Sequence, residues 1–376
     1  MNVDPRILEW LRFMVARKAS DLFLSGGFPP AVKLNGKVLP ITKQSLTPSE
    51  TSELAKSMMT AQQWAEFGMW HESNFALHDH DIGRFRVNVY LQQGRVAVVL
   101  RHINTRIPTV ESLHLPLSLK EIAMQPRGLV IVVGSTGMGK SSTLAAMLGY
   151  RNENAQEHII TVEDPIEFVH EHAKSIVSQR EIGSDSENWE QALKNTLRQA
   201  PDVIMIGEVR DREVMQYALA YAETGHLCLT TIHANNANQA LDRILSFFPK
   251  DRRDQVLLDL SFNLRAIVSQ RLAPTIDGKS RVPAVEIMLN SPLIADLVMR
   301  GRLDEIKDIM ARSRDLGMQT FDQSLYDLYE IGVISAEDAL RFADSFNDLR
   351  LKIKLHQNEG KITGNAPSGL DKAGLI

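Results

Sequence analysis

The sequence contains little cysteine, no excess of positive charge and no long apolar run. Cys228 is the single cysteine among 376 residues, which excludes an internal disulfide and a cysteine-rich zinc module and is typical of a reducing compartment. Lys and Arg number 42 against 46 Asp and Glu, a formal net charge of -4, which argues against a general nucleic-acid binder because such binding needs clustered cations. No apolar stretch approaches the roughly 18 to 20 residues that span a bilayer. We therefore expect a cytoplasmic protein without a transmembrane segment.

The first third of the chain predicts an α+β domain over residues 1–104. Residues 3–18 have the apolar spacing of an amphipathic helix, and Asn35-Gly36 is a strong hairpin signal. Further elements are predicted as helices at 48–59 and 61–67 and as strands at 84–91 and 95–102. Three prolines between residues 105 and 127 predict a linker there.

From residue 128 onward, apolar strands alternate with helices, a pattern that predicts a parallel sheet covered on both faces. The strands are expected at 129–133, 159–162, 203–206 and 227–232. A stripe of apolar residues predicts one helix over 251–272, and further helices are expected at 292–300, 303–312, 320–331, 335–345 and 346–356. This second domain therefore covers 128–356, and the Gly- and Ser-rich residues 357–376 predict a disordered tail.

A phosphate-binding motif follows the first strand of this domain. The sequence G-x-x-x-x-G-K-[ST] is present in full between an apolar strand and an apolar helix, which is the context the motif needs. Its glycines let backbone N–H groups surround phosphates, Lys140 neutralises their charge and the Ser141 hydroxyl ligates Mg²⁺. The predicted nucleotide-binding residues are Gly134, Ser135, Thr136, Gly137, Met138, Gly139, Lys140, Ser141 and Ser142.

Hydrolysis also needs a carboxylate to orient or deprotonate the attacking water. Glu163 lies in an acidic cluster after the strand at 159–162, and Glu208 follows the strand at 203–206. Gly207 follows the strand at 203–206, at the position where the usual Walker B motif has an Asp that holds Mg²⁺. From the residues alone, either glutamate is a candidate.

Two groups of histidines have competing interpretations. His226 and His233 flank the strand at 227–232, and they are either catalytic groups or hydrogen-bonded structural residues. His78 and His80 alternate with Asp79 and Asp81 before a strand. That spacing matches no standard metal site, so a solvated loop is the better interpretation.

Four blocks of sequence, in this order, resemble the secretion-superfamily hexameric ATPases, specifically type IV pilus retraction ATPases of the PilT/PilU kind. They are GSTGMGKS, IITVEDPIEF, RQAPDVIMIGEVRD and TGHLCLTTIHANNA. The resemblance covers about residues 1–356, and the C-terminal segment GMQTFDQSLYDLYEIGVISAEDAL looks PilU-like. It implies α/β architecture: a RecA-like P-loop ATPase domain with an N-terminal PAS-like domain.

The resemblance also implies roles for individual residues. Glu163 matches the catalytic glutamate, Glu208 supports Mg²⁺, and His226 and His233 lie in the family's histidine motif. Arg86 and Arg101 match arginines of the first domain that reach the nucleotide's phosphates.

At the level of the whole protein, the resemblance implies a homo-hexamer that binds ATP and Mg²⁺. Its implied partners are a PilT-type retraction ATPase and an inner-membrane pilus platform protein. Two other functions stay open: an assembly ATPase of pili or type II secretion, and a regulatory subunit that senses nucleotide with little turnover.

Overall fold

The computed structural model describes residues 3–34, 36–103 and 106–362, with side chains through Leu355. The chain divides into two compact units. One comprises Met1–Ile107, Glu163–Glu171 and Gln179–Ala192, and the other comprises Pro108–Val162, His172–Ser178 and Leu193–Ile376. The short segments 163–171 and 179–192 thus belong with the first unit although they follow the linker in sequence. None of the helices in the described ranges is both long and apolar enough to cross a membrane.

The first unit is built on an antiparallel sheet of six strands in the order β3-β2-β1-β6-β5-β4. Its elements are α1 (Pro5–Ala16), β1 (Asp21–Ser25), β2 (Ala31–Leu34), β3 (Lys37–Pro40), α2 (Pro48–Met58), α3 (Ala61–Trp70), β4 (Glu72–Asp79), β5 (Gly83–Gln92) and β6 (Arg95–Ile103). Strands β2 and β3 pair antiparallel with Leu34 opposite Lys37, which confirms the predicted hairpin. The predicted helix over 3–18 is present as α1 but begins at Pro5, because the Asp4 side chain caps it by accepting from the Arg6 N–H and Pro5 occupies the first turn.

The second unit is built on a seven-stranded sheet in the order β13-β12-β7-β11-β10-β8-β9. Its strands are β7 (Gly128–Val133), β8 (His158–Glu163), β9 (Ile176–Glu181), β10 (Val203–Ile206), β11 (Leu227–Ile232), β12 (Leu264–Pro274) and β13 (Arg281–Leu289). Strands β8, β10, β11, β7 and β12 are parallel, and β13 pairs antiparallel with β12. All residues of β7, β10 and β11 are buried, as expected for strands covered on both faces.

Helices cover this sheet and continue beyond it. They are α4 (Ser118–Ala123), α5 (Lys140–Asn154), α6 (Trp189–Thr196), α7 (Arg212–Glu223), α8 (Ala237–Ser246), α9 (Arg253–Asn263), α10 (Pro292–Met299), α11 (Ile306–Arg312), α12 (Phe321–Glu330), α13 (Ala336–Phe342) and α14 (Phe346–Ile362). The predicted helices at 292–300, 303–312, 320–331 and 335–345 are confirmed to within a few residues at their ends. Helix α14 extends through residues 357–362, so that part of the predicted tail is helical, and the remainder of the tail lies outside the described residues.

The single helix predicted over 251–272 is wrong. Helix α9 ends at Asn263, and the chain continues directly as strand β12 beside β7. Between Leu264 and Ala266 the register shifts, and from there Ala266–Val268 pair with Val130–Val132. The apolar residues after Asn263 form a strand that is buried on both faces of the sheet. Apolar periodicity alone does not distinguish a short buried strand from a buried helix. Strands β9 and β13 were likewise not predicted.

Candidate nucleotide-binding site

Three parallel strands of the second unit end at the same edge of the sheet. Strands β7, β11 and β10 pair in register, with Ile131 opposite Thr230 and Thr230 opposite Ile206. Because ligands of open parallel sheets gather at the carboxyl ends of the strands, the groups that follow these ends can act together. Those groups are the predicted phosphate loop after β7, Glu208 after β10 and His233 after β11.

The phosphate loop connects β7 to α5 and surrounds the Lys140 ammonium. Gly137 and Gly139 have φ values of 77° and 85°, which side chains of L-residues rarely adopt. Lys140 Nζ donates to the carbonyl oxygens of Gly134 at 2.7 Å and of Ser135 at 3.3 Å. Helix α5 begins at Lys140, so the unpaired N–H groups of its first turn lie at the phosphate loop. A cation at a helix N-terminus makes this loop an anion-binding site.

His233 links the phosphate loop to Glu208. Its Nδ1 lies 3.4 Å from Lys140 Nζ, and its Nε2 lies 2.8 Å from Glu208 Oε1. A neutral His233 that carries its proton on Nε2 satisfies both contacts, because Nδ1 then accepts and Nε2 donates. Glu208 Oε2 accepts from Arg210 Nε at 2.9 Å. The structure thus brings together three of the residues singled out from the sequence, Lys140, His233 and Glu208.

Strand β12, which the sequence pattern did not predict, contacts both the phosphate loop and the first turn of α5. The Thr143 hydroxyl donates to Gln270 Oε1 at 2.6 Å, and the Leu272 N–H contacts Met138 Sδ at 3.4 Å. A Cβ on Gly134 would lie 2.9 Å from the Gln270 carbonyl oxygen, so only glycine fits that approach. The available signal was the polar run Ser269-Gln270-Arg271, which interrupts the apolar stripe of the predicted helix.

The two histidines that flank β11 have different surroundings. His226 precedes the strand and His233 follows it, so about seven residues at roughly 3.3 Å each separate them along the sheet. His226 Nδ1 lies 3.1 Å from Thr224 Oγ1 and 3.3 Å from the Tyr221 carbonyl oxygen. Within the second unit His226 is therefore a hydrogen-bonded residue away from the phosphate loop, and a catalytic role for it stays a prediction.

The remaining candidate residues are Arg86 and Arg101 of the first unit and Glu163, which ends β8 and begins the segment 163–171 that is grouped with the first unit. Glu163, the last residue of β8, is 7% exposed, and its Oε1 accepts from Gln179 Nε2 at 3.1 Å. Arg86 and Arg101 are directly opposite each other on β5 and β6, as expected for neighbouring strands. Arg101 Nε also donates to Asp21 Oδ1 at 2.7 Å.

The alternating His and Asp residues at 78–81 form no metal site. They span the end of β4 and the turn that follows, and the His80 side chain is 98% exposed. Within the described ranges, no group of three or more His, Cys, Asp or Glu residues has the proximity to hold a metal ion. The prediction of a solvated turn holds for His80 and Asp81, whereas His78 and Asp79 are the last residues of β4.

A parallel sheet with a complete phosphate loop between strand and helix defines a P-loop nucleotide-binding protein. The family model for type II/IV secretion system proteins matches residues 33–343, and this chain belongs to that family.

Known relatives cover nearly the whole chain. The type IV pilus ATPase PilU of Pseudomonas aeruginosa is 59% identical over 345 residues, which are 92% of this chain and 90% of that protein. The retraction ATPase PilT of the same species is 40% identical over 333 residues, 89% of this chain and 96% of that protein. A crystal structure of the pilus retraction motor PilT with bound ADP has a TM-score of 0.86 at 40% identity and covers 92% of this chain and 98% of its own.

These matches confirm the resemblance and the predicted fold class. The chain is an α/β protein of the ATPase type, with a RecA-like P-loop domain and an N-terminal α+β domain.

Proposed function

We propose that this chain is a Mg²⁺-dependent ATPase that powers type IV pilus retraction as an accessory to a PilT-type motor. The contact chain from Lys140 through His233 to Glu208 carries the proposal, because it joins a phosphate cradle to a carboxylate at the ends of three parallel strands. The 59% identity to the type IV pilus ATPase PilU supports the link to pili. The 40% identity to PilT, which is named as a retraction ATPase, supports the link to retraction.

In this proposal the phosphate loop binds the triphosphate through its N–H groups and the Lys140 ammonium. Glu163 orients the attacking water and accepts its proton, as a general base does. His233 Nε2 contacts Glu208 Oε1 and holds that side chain beside the loop. Arg86 and Arg101 stabilise charge on the phosphates during transfer, and His226 keeps the catalytic role implied by the resemblance.

Ser141 and Glu208 would hold Mg²⁺. A hydroxyl in the first turn of α5 and a carboxylate at the end of β10 are the hard oxygen ligands that Mg²⁺ prefers, and Mg²⁺ needs only one or two such groups beside phosphate oxygens and water. The donor set therefore fits the ion, whose charge, when bound, neutralises the phosphates.

At the level of assembly, we propose a homo-hexamer at the cytoplasmic face of the inner membrane that acts on the pilus platform protein. Residues 1–104 form the PAS-like domain of each subunit, 105–127 the linker and 128–356 the ATPase domain. Mass photometry of the full chain with an ATP analogue should show a species near six chains. A monomer at micromolar concentration contradicts the ring.

The activity is tested by steady-state ATP hydrolysis of the full chain and of Glu163→Gln. The variant keeps the shape of the side chain but loses the base, so ADP should still bind while turnover falls by roughly 100-fold or more. Exposed Glu337→Gln is the matched control. Turnover in Glu163→Gln equal to that of the unmodified chain assigns the base to another residue.

The biological role is tested by pilus retraction in cells that contain or lack this protein, in wild-type and PilT-deficient backgrounds. We expect loss of the protein to weaken retraction only where PilT is present. An assembly ATPase would instead abolish pilus formation. A nucleotide-sensing subunit would bind ATP without measurable turnover.

A further inference from the structure

Arg271 of strand β12 connects segments of the second unit that are far apart in sequence. Its side chain is 19% exposed, and its guanidinium lies 3.9 Å from the centre of the Phe321 ring. One terminal nitrogen donates to the Phe342 carbonyl oxygen at 2.5 Å. The other donates to Asp344 Oδ1 at 2.5 Å and lies 3.3 Å from the Asn235 carbonyl oxygen. This one side chain therefore joins the loop after β11 to the end of α13.

Asn235 carries the connection on to the phosphate loop. Its Oδ1 accepts from the Ser135 hydroxyl at 3.0 Å, and its main-chain N–H and Nδ2 both donate to Gln239 Oε1, at 3.3 and 3.0 Å. Asn235 thus has hydrogen-bond contacts to the phosphate loop, to α8 and to Arg271. Ser135 is one of the predicted nucleotide-binding residues.

The other end of the connection is held by charged groups of the C-terminal helices. Lys307 Nζ of α11 donates to Asp344 Oδ2 at 3.0 Å, and Asp322 of α12 accepts from the Asp344 main-chain N–H at 2.8 Å. Burial acts to raise the pKa of Asp344, but Arg271 and Lys307 hold that pKa below its usual value. Asp344 therefore remains a charged anchor for Arg271, tied to two further helices.

We propose that Arg271 is a positioning residue for the phosphate loop, which it couples to the C-terminal helices through Asn235 and Ser135. The inference rests on the proposed function, since it concerns nucleotide binding at that loop. The guanidinium donates to three oxygen atoms from two separate terminal nitrogens. The single ammonium nitrogen of lysine does not reproduce that geometry, so lysine is not an equivalent residue here. A displacement of helices α11 to α14 would be transmitted to Ser135 along these contacts, and nucleotide binding would restrain the helices in return.

A double-mutant cycle on the full chain tests the coupling, with ADP affinity by titration as the readout. In the otherwise unmodified chain, Arg271→Gln should weaken ADP binding about three- to tenfold, at the weaker end of the coupling seen between residues of one hydrogen-bond network. In the Asn235→Ala background, where the contact to Ser135 is already absent, the same change should alter affinity less than about twofold. Equal loss in both backgrounds, or no loss in either, overturns the proposal.

Two further variants separate positioning from general destabilisation. Arg271→Lys keeps a positive charge beside Asp344, so thermal unfolding should be less affected than in Arg271→Gln, while ADP binding should weaken to a similar extent. Arg281 is an exposed arginine on the neighbouring strand β13, so Arg281→Gln should change neither thermal unfolding nor ADP affinity. Full affinity in a folded Arg271→Lys chain contradicts the three-way contact.

Failure of the proposed function and failure of this inference give different results. If the unmodified chain binds no ADP, the proposed function is wrong and this inference fails with it. If the chain binds ADP but the losses of affinity in the double-mutant cycle are additive, only the coupling is refuted.

Discussion

The two sheets of this protein present functional side chains in different ways. In the antiparallel sheet of the first unit, Phe85, Val87 and Val89 of β5 are buried while the alternate positions are partly exposed, so an arginine can stand in the middle of a strand. In the parallel sheet of the second unit, every residue of β7 is buried. Chemistry in a sheet covered on both faces is therefore confined to the strand ends, and a polar group within such a strand needs an internal partner.

The largest expected effect is a loss of nucleotide affinity when Lys140, which follows the carboxyl end of β7, is replaced. Lys140→Ala removes the ammonium at the phosphate loop, and loss of charge-assisted hydrogen bonds to phosphate should cost about 3 kcal/mol, or roughly 100-fold in nucleotide affinity. Isothermal titration with ADP measures this, and exposed Lys250→Ala is the control. Unchanged affinity in Lys140→Ala would show that the loop does not bind phosphate.

Glu286 tests the rule for polar groups within the buried sheet of the second unit. It is 2% exposed on β13 and accepts from the Ala237 N–H and the Ser269 hydroxyl. Burial raises the pKa of Glu286 from its usual 4.5 to about 7, although these hydrogen bonds act to lower the pKa. The folded state therefore holds a proton that the unfolded state releases between these pH values. The stability that this provides is fully present below pH 4.5 and is lost as the pH rises through 7.

Glu286→Gln should remove this pH dependence, which amounts to about 3 kcal/mol at most. Urea unfolding at several pH values between 4.5 and 8 measures this pH dependence as the difference in the free energy of unfolding between the variant and the unmodified chain. His170 acts in the opposite sense, because burial lowers its pKa to about 4 and its contribution is lost as the pH falls below 6.5. That contribution cancels in the difference. Parallel curves for the two proteins would contradict the assignment.

A smaller effect is expected for the internal partner behind the phosphate loop. Gln270→Leu leaves the buried Thr143 hydroxyl without its acceptor and should lower the free energy of unfolding by about 1 to 2 kcal/mol. Thr143→Val in addition should recover part of that loss, because neither polar group then remains unpaired. Chemical unfolding of the two single variants and the double variant gives the comparison. Strictly additive losses would mean that the two side chains do not stabilise each other.

The smallest effects should come from the exposed face of the antiparallel sheet. Arg101→Ala leaves Asp21, whose side chain is 5% exposed, with the Ser20 hydroxyl but without its ion pair, so we expect a loss of about 1 kcal/mol. Arg86→Ala on the opposite strand should change stability by no more than about 0.5 kcal/mol. Thermal unfolding of the two variants gives the order. The reverse order would show that Asp21 does not depend on Arg101.

Much of the site follows from local sequence. A phosphate loop is a continuous segment whose glycines, lysine and serine act on a ligand through their own backbone and side chains, so its motif predicts both its structure and its chemistry. The strands that precede Glu208 and His233 were also predicted, because short apolar runs bounded by polar residues mark buried strands. The contact between His233 and Glu208 was not, since it depends on which strands are neighbours.

Strand β12 shows where local pattern fails. Val256, Leu260 and Leu264 continue into Ile267 and Val268 with helical spacing, yet only the first part is helical. The second part pairs with β7, which lies more than a hundred residues earlier in the chain, and no periodicity within the segment encodes that partner.

The order of residues in the chain was enough to predict an α/β fold, the phosphate loop and the candidate carboxylates, because each depends on residues that are neighbours in the chain. Three other features became visible only in the folded chain: the contacts of Gln270 and Arg271 near the loop, the link from Lys140 through His233 to Glu208, and the burial of Glu286. These depend on side chains separated by tens to hundreds of residues, and pairing between strands, with the burial that follows from it, brings such side chains within hydrogen-bond distance.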